Sequence, residues 1–409
     1  MTAAVITIFI LVYIGMILGR IPFLRVDRTG IALLGAVAML LTNELSVNNA
    51  WKSVDASTIF LLFALMVISA NFAQSGLYSL ITRHLIAAPL SPSFLLLIVI
   101  FVIAFLSAVL ANDIVCLATT PVLLIACVER KLNPVPYLIA LACAANIGSA
   151  ATLIGNPQNI LLGEVLQLSF THYLLIAILP VIVSLFITWG VIVLLTPNFK
   201  LDERSTPIKP LVNEDVPLVL PRAIATCIIL TIIVILFLIT DFPKPIVALA
   251  GAALLLFSRK QHTASILSRV DWQLLLLFIG LFIVNDALAE TRTLPKLVTS
   301  LSNYQIDIHN EPTLYILTAV LSNLVSNVPA ILLILNVIHD PQYGPILALS
   351  STLAGNFIIV GSIANIIVVT QSERLGLTID WITHARVGIP VTVITLATTG
   401  LWLYILTFF

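Results

Sequence analysis

Charged residues are scarce in this sequence, because Asp, Glu, Lys and Arg together make up only 9% of it. Soluble globular domains carry about 25% charged residues, so a soluble fold is excluded. Hydrophobic side chains account for 60% of the chain, and its mean hydropathy is +1.14. These values predict an all-α polytopic membrane protein with lipid around most of its length. The formal net charge is zero, which leaves no basic face for nucleic acid, so no nucleic-acid partner is expected.

Motifs for catalysis and for cofactor binding are also missing. The sequence has no glycine-rich phosphate loop, no HExxH and no GxSxG, so it predicts no enzyme activity, no catalytic residue and no cofactor. The cysteines form no CxxC pair and are expected to pack as small apolar residues: Cys116, Cys127, Cys143 and Cys227. The histidines fall in or near predicted loops, which argues against a proton relay through them: His84, His172, His262, His309, His339 and His384.

Apolar segments follow one another in two series of six, separated by one polar, proline-containing stretch. We predict a first repeat over residues 1–196, a cytoplasmic linker over 197–221 and a second repeat over 222–409. The first 19 residues lack a basic leader and a small-residue cleavage site, which favours a transmembrane helix over a signal peptide.

The two series match in detail. A glycine precedes an aspartate by 20 residues in each: Gly35 and Asp55, then Gly251 and Asp271. A Gly-xxx-Asn pattern recurs at Gly155–Asn159 and Gly361–Asn365. We interpret the asparagines upstream of it, Asn146 and Asn356, as equivalent, although their distances to the following glycine differ. Duplicated broken helices are the usual sequence signature of a secondary transporter.

A polar interruption also recurs inside two long apolar runs. Residues 92–128 are too many for a single crossing, which takes about 20, and Asp113 is the one ionisable group between Pro92 and Val128. Ser107 precedes Asn112 by five residues, and Ser322 precedes Asn327 by five. We interpret both runs as re-entrant hairpins with polar tips. Two full crossings fit the charges equally well but would place the first tip at the outer surface.

Charge placement predicts the orientation. With both termini outside the cytoplasmic membrane, fifteen of the 19 lysines and arginines face the cytoplasm, as the positive-inside rule requires. The other four lie outside: Lys52, Lys244, Arg292 and Lys296. Each half then crosses an odd number of times, so the repeats are inverted. The predicted fold has about ten transmembrane helices, two re-entrant hairpins and two broken helices.

Hairpin tips and helix breaks expose amides and carbonyls inside the bilayer, where they can bind a solute or an ion. The candidate substrate- and ion-binding residues are Ser107, Asn112, Asp113, Asn146, Thr152, Gly155, Asn156, Asn159, Ser322, Ser326, Asn327, Asn356, Gly361, Ser362 and Asn365. No metal site is expected beyond a sodium site at Asn112, Asp113, Gly155 and Asn159. The alternative is that these small polar residues only let helices approach and hydrogen-bond.

Asp113 has no counterpart in the second half, where Val328 follows Asn327. An asymmetric carboxylate in a duplicated site suggests ion coupling, by binding either a proton or a cation. The alternative is a structural cap on the second hairpin helix. Two further acids lie near the outer ends of their segments: Asp286 is expected at the interface and Glu164 in solvent.

Four stretches resemble one transporter superfamily. Residues 111–121 resemble the hairpin of arsenite-efflux permeases, and residues 146–159 the corresponding loop of the ion transporter superfamily. Residues 326–329 and 361–365 look like their second-half partners. That superfamily includes arsenite permeases, sodium/proton antiporters, divalent-anion and citrate symporters, and plant silicon-efflux proteins. Dicarboxylate members carry Ser-Asn-Thr at both tips, and this chain departs from that pattern.

The resemblance implies a scaffold part, a moving transport part and a homodimer. The expected partners are membrane lipid and the small-molecule or ion substrate. The resulting functional prediction is a secondary active transporter of a small inorganic anion or oxyacid, arsenite-like, coupled to protons or sodium. A sodium/proton antiporter on the same fold is the first alternative. A passive ion channel is the alternative from another class.

Overall fold

The computed structural model describes residues 2–18, 26–42, 45–196, 199–200, 217–257, 263–291, 293–294, 298–300 and 307–408. Most of the predicted linker and several of the cationic loop residues lie outside these ranges. No β-strand occurs within them, and the all-α polytopic class predicted from composition is confirmed.

The described part of the first half contains ten helices. In chain order they are α1 Thr2–Leu18, α2 Arg28–Leu41, α3 Val47–Ser53, α4 Ala56–Gln74, α5 Leu77–Ala87, α6 Pro92–Val109, α7 Asn112–Glu129, α8 Pro134–Ser149, α9 Pro157–Val165 and α10 Phe170–Leu195.

The described part of the second half repeats much of that order. Its helices are α11 Leu220–Ile239, α12 Lys244–Leu256, α13 Thr263–Leu267, α14 Trp272–Glu290, α15 Glu311–Val325, α16 Asn327–Leu335, α17 Gly344–Ala354, α18 Ile363–Arg374 and α19 Trp381–Leu406. Short 3-10 turns cover Pro341–Tyr343 and Ile359–Gly361.

Helix packing is exchanged between the halves. Helix α2 packs on α14, while α12 packs on α4. Helix α6 packs on α8, as α15 does on α17, and α7 packs on α18, as α16 does on α9. Helices of each half therefore pack against helices of the other in equivalent pairs, which is the arrangement expected of two related repeats.

Seven described helices are long and apolar enough to span a membrane: α4, α6, α7, α10, α11, α14 and α19. Helices α6 and α7, the arms of the first predicted hairpin, have 18 residues each and belong to this set. Shorter apolar helices cover Ala3–Leu18, Arg28–Leu41, Pro134–Ser149 and Lys244–Leu256. The interrupted helices α8–α9 and α17–α18 lie beside the hairpins, and this contact creates the site.

Candidate functional site

Two helices are broken at equivalent places. Helix α8 ends at Ser149 and α9 begins at Pro157, while α17 ends at Ala354 and α18 begins at Ile363. Polar residues cap the restarts. The Oδ1 atom of Asn156 accepts from the amide of Asn159 at 2.9 Å, and the Oγ atom of Ser362 accepts from the amide of Ala364 at 3.2 Å. The caps fix where each helix resumes.

An asparagine three residues after each cap holds the irregular backbone of the break. The Nδ2 atom of Asn159 donates to the carbonyl of Thr152 at 2.9 Å. The Nδ2 atom of Asn365 donates to the carbonyls of Gly355 at 2.8 Å and Ile358 at 3.1 Å. Both asparagine side chains are fully buried. They hydrogen-bond to carbonyls of the irregular backbone between the two parts of each broken helix.

Hydrogen bonds join the two breaks across the halves. The Nδ2 atom of Asn146 donates to the Oδ1 atoms of Asn356 at 2.8 Å and Asn365 at 3.1 Å, and its Oδ1 accepts from Ser362 at 2.8 Å. On the other side, the Thr352 hydroxyl donates to Asn159 Oδ1 at 3.4 Å and accepts from Asn156 Nδ2 at 3.3 Å. The described structure thus contains one polar cluster, built from both halves.

The pairing of Asn146 with Asn356 as equivalent residues was wrong. Asn146 lies inside α8, whereas Asn356 follows the end of α17, and the two side chains bond to each other. Thr352, near the end of α17, makes the cross-half contacts that Asn146 makes near the end of α8. Unequal spacing to the following glycine was the sequence signal of this mismatch.

The first hairpin tip lies against the first break. The amide of Asn112 donates to the carbonyl of Gly155 at 3.2 Å. A Cβ atom on Gly155 would lie 2.5 Å from the carbonyl oxygen of Ser149 and 2.7 Å from that of Ser107, so only glycine fits. Thr152 also donates from its hydroxyl to the carbonyl of Ala108.

The second tip lies against the second break in the same way. Ser326, at φ 77°, separates α15 from α16 in a conformation that non-glycine residues rarely adopt. A Cβ atom on Gly355 would lie 3.3 Å from Asn327 Nδ2, and one on Gly361 would lie 2.9 Å from Asn323 Oδ1. The sequence pattern predicted Gly361 and Ser326 but missed Asn323, which donates to the carbonyl of Ala354 at 3.0 Å.

Both tips contain buried polar atoms that have no hydrogen-bond partner among the residues that the structure describes. These are the hydroxyls of Ser107 and Ser322 and the Oδ1 atoms of Asn112 and Asn327. The residues come in the equivalent pairs that the sequence spacing indicated. Buried polar atoms are almost always hydrogen-bonded in folded proteins, so four unpartnered atoms in matched positions make the two tips a candidate site for a polar solute.

Asp113 faces a small cavity that also contains a second carboxylate. The cavity has a volume of about 30 Å³, enough for about one or two water molecules. Asp113, Asn156 and Asp271 all line it. Helix α7 has no side-chain cap, so the expectation of a structural cap is not met, whereas Asp271 caps α14 by accepting from the amide of Leu274 at 3.0 Å.

The sodium site at Asn112, Asp113, Gly155 and Asn159 stays a prediction. The carbonyl of Gly155 is already bonded to the Asn112 amide, and Asp113 faces the cavity shared with Asp271. No cluster of three His, Cys, Asp or Glu residues occurs in the part of the chain that the structure describes.

Sequence analysis missed several participants. Tyr173 donates to the carbonyl of Ala150 at 2.6 Å, and Gln158 donates to Thr352 at 3.2 Å. Asp271 was noticed only as a repeat marker. Glu164, expected in solvent, is buried. These contacts join residues that are distant in the sequence. The one sequence signal for Asp271 is that it follows a glycine by 20 residues, as Asp55 does in the first half.

Comparison with known proteins identifies the family. A model of citrate transporters matches residues 9–346. A 46 kDa membrane protein of Mycobacterium leprae is 28% identical over 438 residues, covering 99% of both chains. A protein of Dictyostelium discoideum with the transporter name arsB is 22% identical, covering 91% of this chain and 86% of its own.

One further relative matches locally. The silicon efflux transporter LSI3 of Oryza sativa subsp. japonica is 39% identical over 164 residues, which are 40% of this chain and 34% of the relative. The superfamily resemblance of the hairpin and loop motifs is thereby confirmed, and the chain is a multi-pass membrane transporter rather than an enzyme. The chain belongs to the citrate transporter family.

Proposed function

We propose that this transporter is a secondary active carrier of a small uncharged oxyacid, of the class of arsenous or silicic acid. The observation that carries the proposal is the set of unpartnered buried oxygens at the two tips, on Ser107, Asn112, Ser322 and Asn327. A solute held between the tips and the breaks would give these atoms the partners that the protein does not.

The chemistry of the unpartnered atoms favours a neutral oxyacid over a deprotonated anion. An Asn Oδ1 atom only accepts hydrogen bonds, so the bound group has to donate one. The hydroxyls of an oxyacid donate and accept, whereas a fully ionised carboxylate or sulfate only accepts. The candidate residues include no lysine or arginine, and Asp113 would repel an anion. These points weigh against citrate as the solute, despite the name of the family.

Asp113 is proposed as the coupling residue. It is the one carboxylate at either tip, and the cavity that it shares with Asp271 has room for water. A proton could therefore reach it from that cavity as the solute site opens. Sodium is the alternative coupling ion. The predicted homodimer, the cytoplasmic-membrane location and the outward-facing termini form part of the same proposal.

The names of two relatives support this solute class. One is called a silicon efflux transporter and the other arsB. Silicic acid and arsenous acid are both small, neutral and rich in hydroxyl groups, which is what the tip chemistry calls for.

A sodium/proton antiporter is the second candidate, because acceptor oxygens at the tips also suit a hard cation. A channel is the candidate from another class. Transport assays with purified protein in proteoliposomes distinguish the oxyacid carrier, the antiporter and the channel. The assays use imposed proton or sodium gradients and arsenite, silicic acid or citrate as solutes. We expect arsenite or silicic acid to accumulate against its own gradient. Cation flux without any oxyacid would support the antiporter instead, and downhill flux alone would support a channel.

A further inference from the structure

His384 is a buried histidine whose ring has no partner. Its side chain is 1% exposed, and neither Nδ1 nor Nε2 makes a hydrogen bond within the described residues. It was expected in or near a loop, but it lies in the first turn of α19, where Asp380 caps the helix by accepting from the amide of Thr383 at 2.7 Å. Even a neutral imidazole carries one donor and one acceptor, so both requirements are unmet.

The ring lies at the second helix break. A Cβ atom on Gly388, one turn further along α19, would lie 2.4 Å from the carbonyl oxygen of Asn356 and 3.0 Å from that of Phe357. The same point lies 3.0 Å from Cε1 of His384. The imidazole and two carbonyls of the break therefore converge on one spot. The Nδ2 atom of Asn356, next to them, is also buried without a partner.

The equivalent residue in the first half is Tyr173. Helices α10 and α19 both have 26 residues, and Tyr173 and His384 are each the fourth. Tyr173 closes the first break, because its hydroxyl donates to the carbonyl of Ala150 at 2.6 Å and accepts from Asn159 at 3.3 Å. His384 occupies the matching place without making the matching bonds. The duplication thus replaces a bonded phenol with an unbonded, ionisable ring.

We propose that His384 is a proton-binding site, which stays neutral while α19 packs on the second break and takes up a proton when the two separate. Burial without a partner disfavours a charged ring, whereas water stabilises it. An imidazolium could donate to the carbonyls of Asn356 or Phe357 from both nitrogens. The carbonyl end of α17, which is partly negative, would attract it. Histidine is the side chain that ordinarily titrates between about pH 5 and 8.

Few other ionisable groups lie on the elements that pack on α19. Helix α10 carries His172 and Tyr173, α8 carries Tyr137 and Cys143, and neither α17 nor the turn Ile359–Gly361 carries one in the described chain. Helix α15 carries Glu311 and Tyr315, and the Tyr315 hydroxyl donates to the carbonyl of Leu396 on α19 at 2.9 Å. On α19 itself, the nearest are Asp380 at its cap and Arg386. Of these, His172 is the other histidine, and it is exposed, which makes it a suitable control.

Hydrogen exchange of the purified full chain tests this without any solute. We expect the protection factors of residues 355–362 to fall between pH 8 and pH 5.5, by up to about tenfold per pH unit. His384→Gln is expected to remove this dependence, and the control His172→Gln to keep it. His384→Tyr restores the first-half residue and is expected to keep protection high at both pH values.

Two results would overturn the proposal: flat protection in the wild type over this pH range, or the same pH dependence in both His384 variants. Should one variant fail to fold, the other variant and the wild-type profile still decide. The inference rests on the proposed function in one respect only: it assigns the separation of α19 from the second break to a transport cycle. A wild type that transports solute without this pH response refutes the His384 site alone, while a pH response without uphill transport refutes the function alone.

Discussion

The Nδ2 atom of Asn146, in the first half of the chain, donates to the Oδ1 atom of Asn365, in the second half, at 3.1 Å. The same nitrogen donates to Asn356, and the Asn146 oxygen accepts from Ser362. One buried amide thereby holds three side chains of the opposite half. The two breaks are therefore a single structural unit, and any movement of one has to involve the other.

Replacing Asn146 with leucine tests that unit. Asn146→Leu leaves the buried Oδ1 atoms of Asn356 and Asn365 without partners and removes the acceptor of the Ser362 hydroxyl. Each unmet group costs about 1–3 kcal/mol. We expect a clear fall in the thermal unfolding temperature of the purified protein. Asn49→Leu is the control, because Asn49 lies exposed on α3. Equal unfolding temperatures for the two variants would contradict the cross-half link.

The contact between the first tip and the first break predicts a second outcome. In Gly155→Ala, the new Cβ would lie 2.5 Å from one backbone atom and 2.7 Å from another, both of which are fixed in position. We expect loss of transport together with lower stability. Gly190→Ala is the matched control, since a Cβ there meets nothing within 4 Å. A Gly155→Ala protein with wild-type transport would show that the tip does not seat on the break.

Asp113 is expected to couple transport to an ion gradient. Asp113→Asn keeps the shape of the side chain but removes its ability to exchange a proton or pair with a cation. Uphill solute accumulation in proteoliposomes should therefore be abolished. The unfolding temperature should stay near that of the wild type. Asp286→Asn, with a half-buried carboxylate on α14, is the control and should accumulate solute normally. Normal accumulation by Asp113→Asn would remove Asp113 from the coupling mechanism.

Asn159 and Asn365, which bond to the backbone of the two breaks, are expected to affect both stability and transport. Asn159→Leu and Asn365→Leu each free carbonyls in a break and remove a cross-half bond. We expect both variants to unfold at lower temperature and to bind solute at least about tenfold more weakly. A variant that loses affinity with unchanged stability would mean that its asparagine contacts the solute rather than the backbone.

Local sequence patterns predicted the breaks and tips well. The Gly-xxx-Asn spacing located Asn159 and Asn365 because a residue three positions after a helix cap faces back into the break, which is a property of the helix itself. The Ser and Asn pairs located both tips because the serine lies near the end of the first arm and the asparagine begins the second arm. Composition predicted the membrane class, because so few charged residues cannot cover a soluble surface.

Contacts between distant segments could not be predicted in this way. Nothing near Asp113 in the chain indicates that Asp271 shares its cavity, and nothing near Asn146 names Asn365 as its partner. The sequence predicts His384 in or near a loop because the last apolar block begins only at residue 383, next to it. The cap at Asp380 starts the helix before that block, so a search for capping residues would have corrected the boundary.

The central claim is that the unpartnered tip oxygens exist for a solute, and the double variant Ser107→Ala/Ser322→Ala tests it most directly. Its unfolding temperature should equal or exceed that of the wild type, because a buried hydroxyl without a partner does not stabilise the fold. Ser149→Ala, which removes a hydroxyl bonded to Asn146 and Asn156, should by contrast lower it. In proteoliposomes energised by an imposed proton or sodium gradient, the KM of the double variant for arsenite or silicic acid should be higher than that of the wild type by about tenfold or more. A well-folded double variant with the KM of the wild type would contradict the central claim.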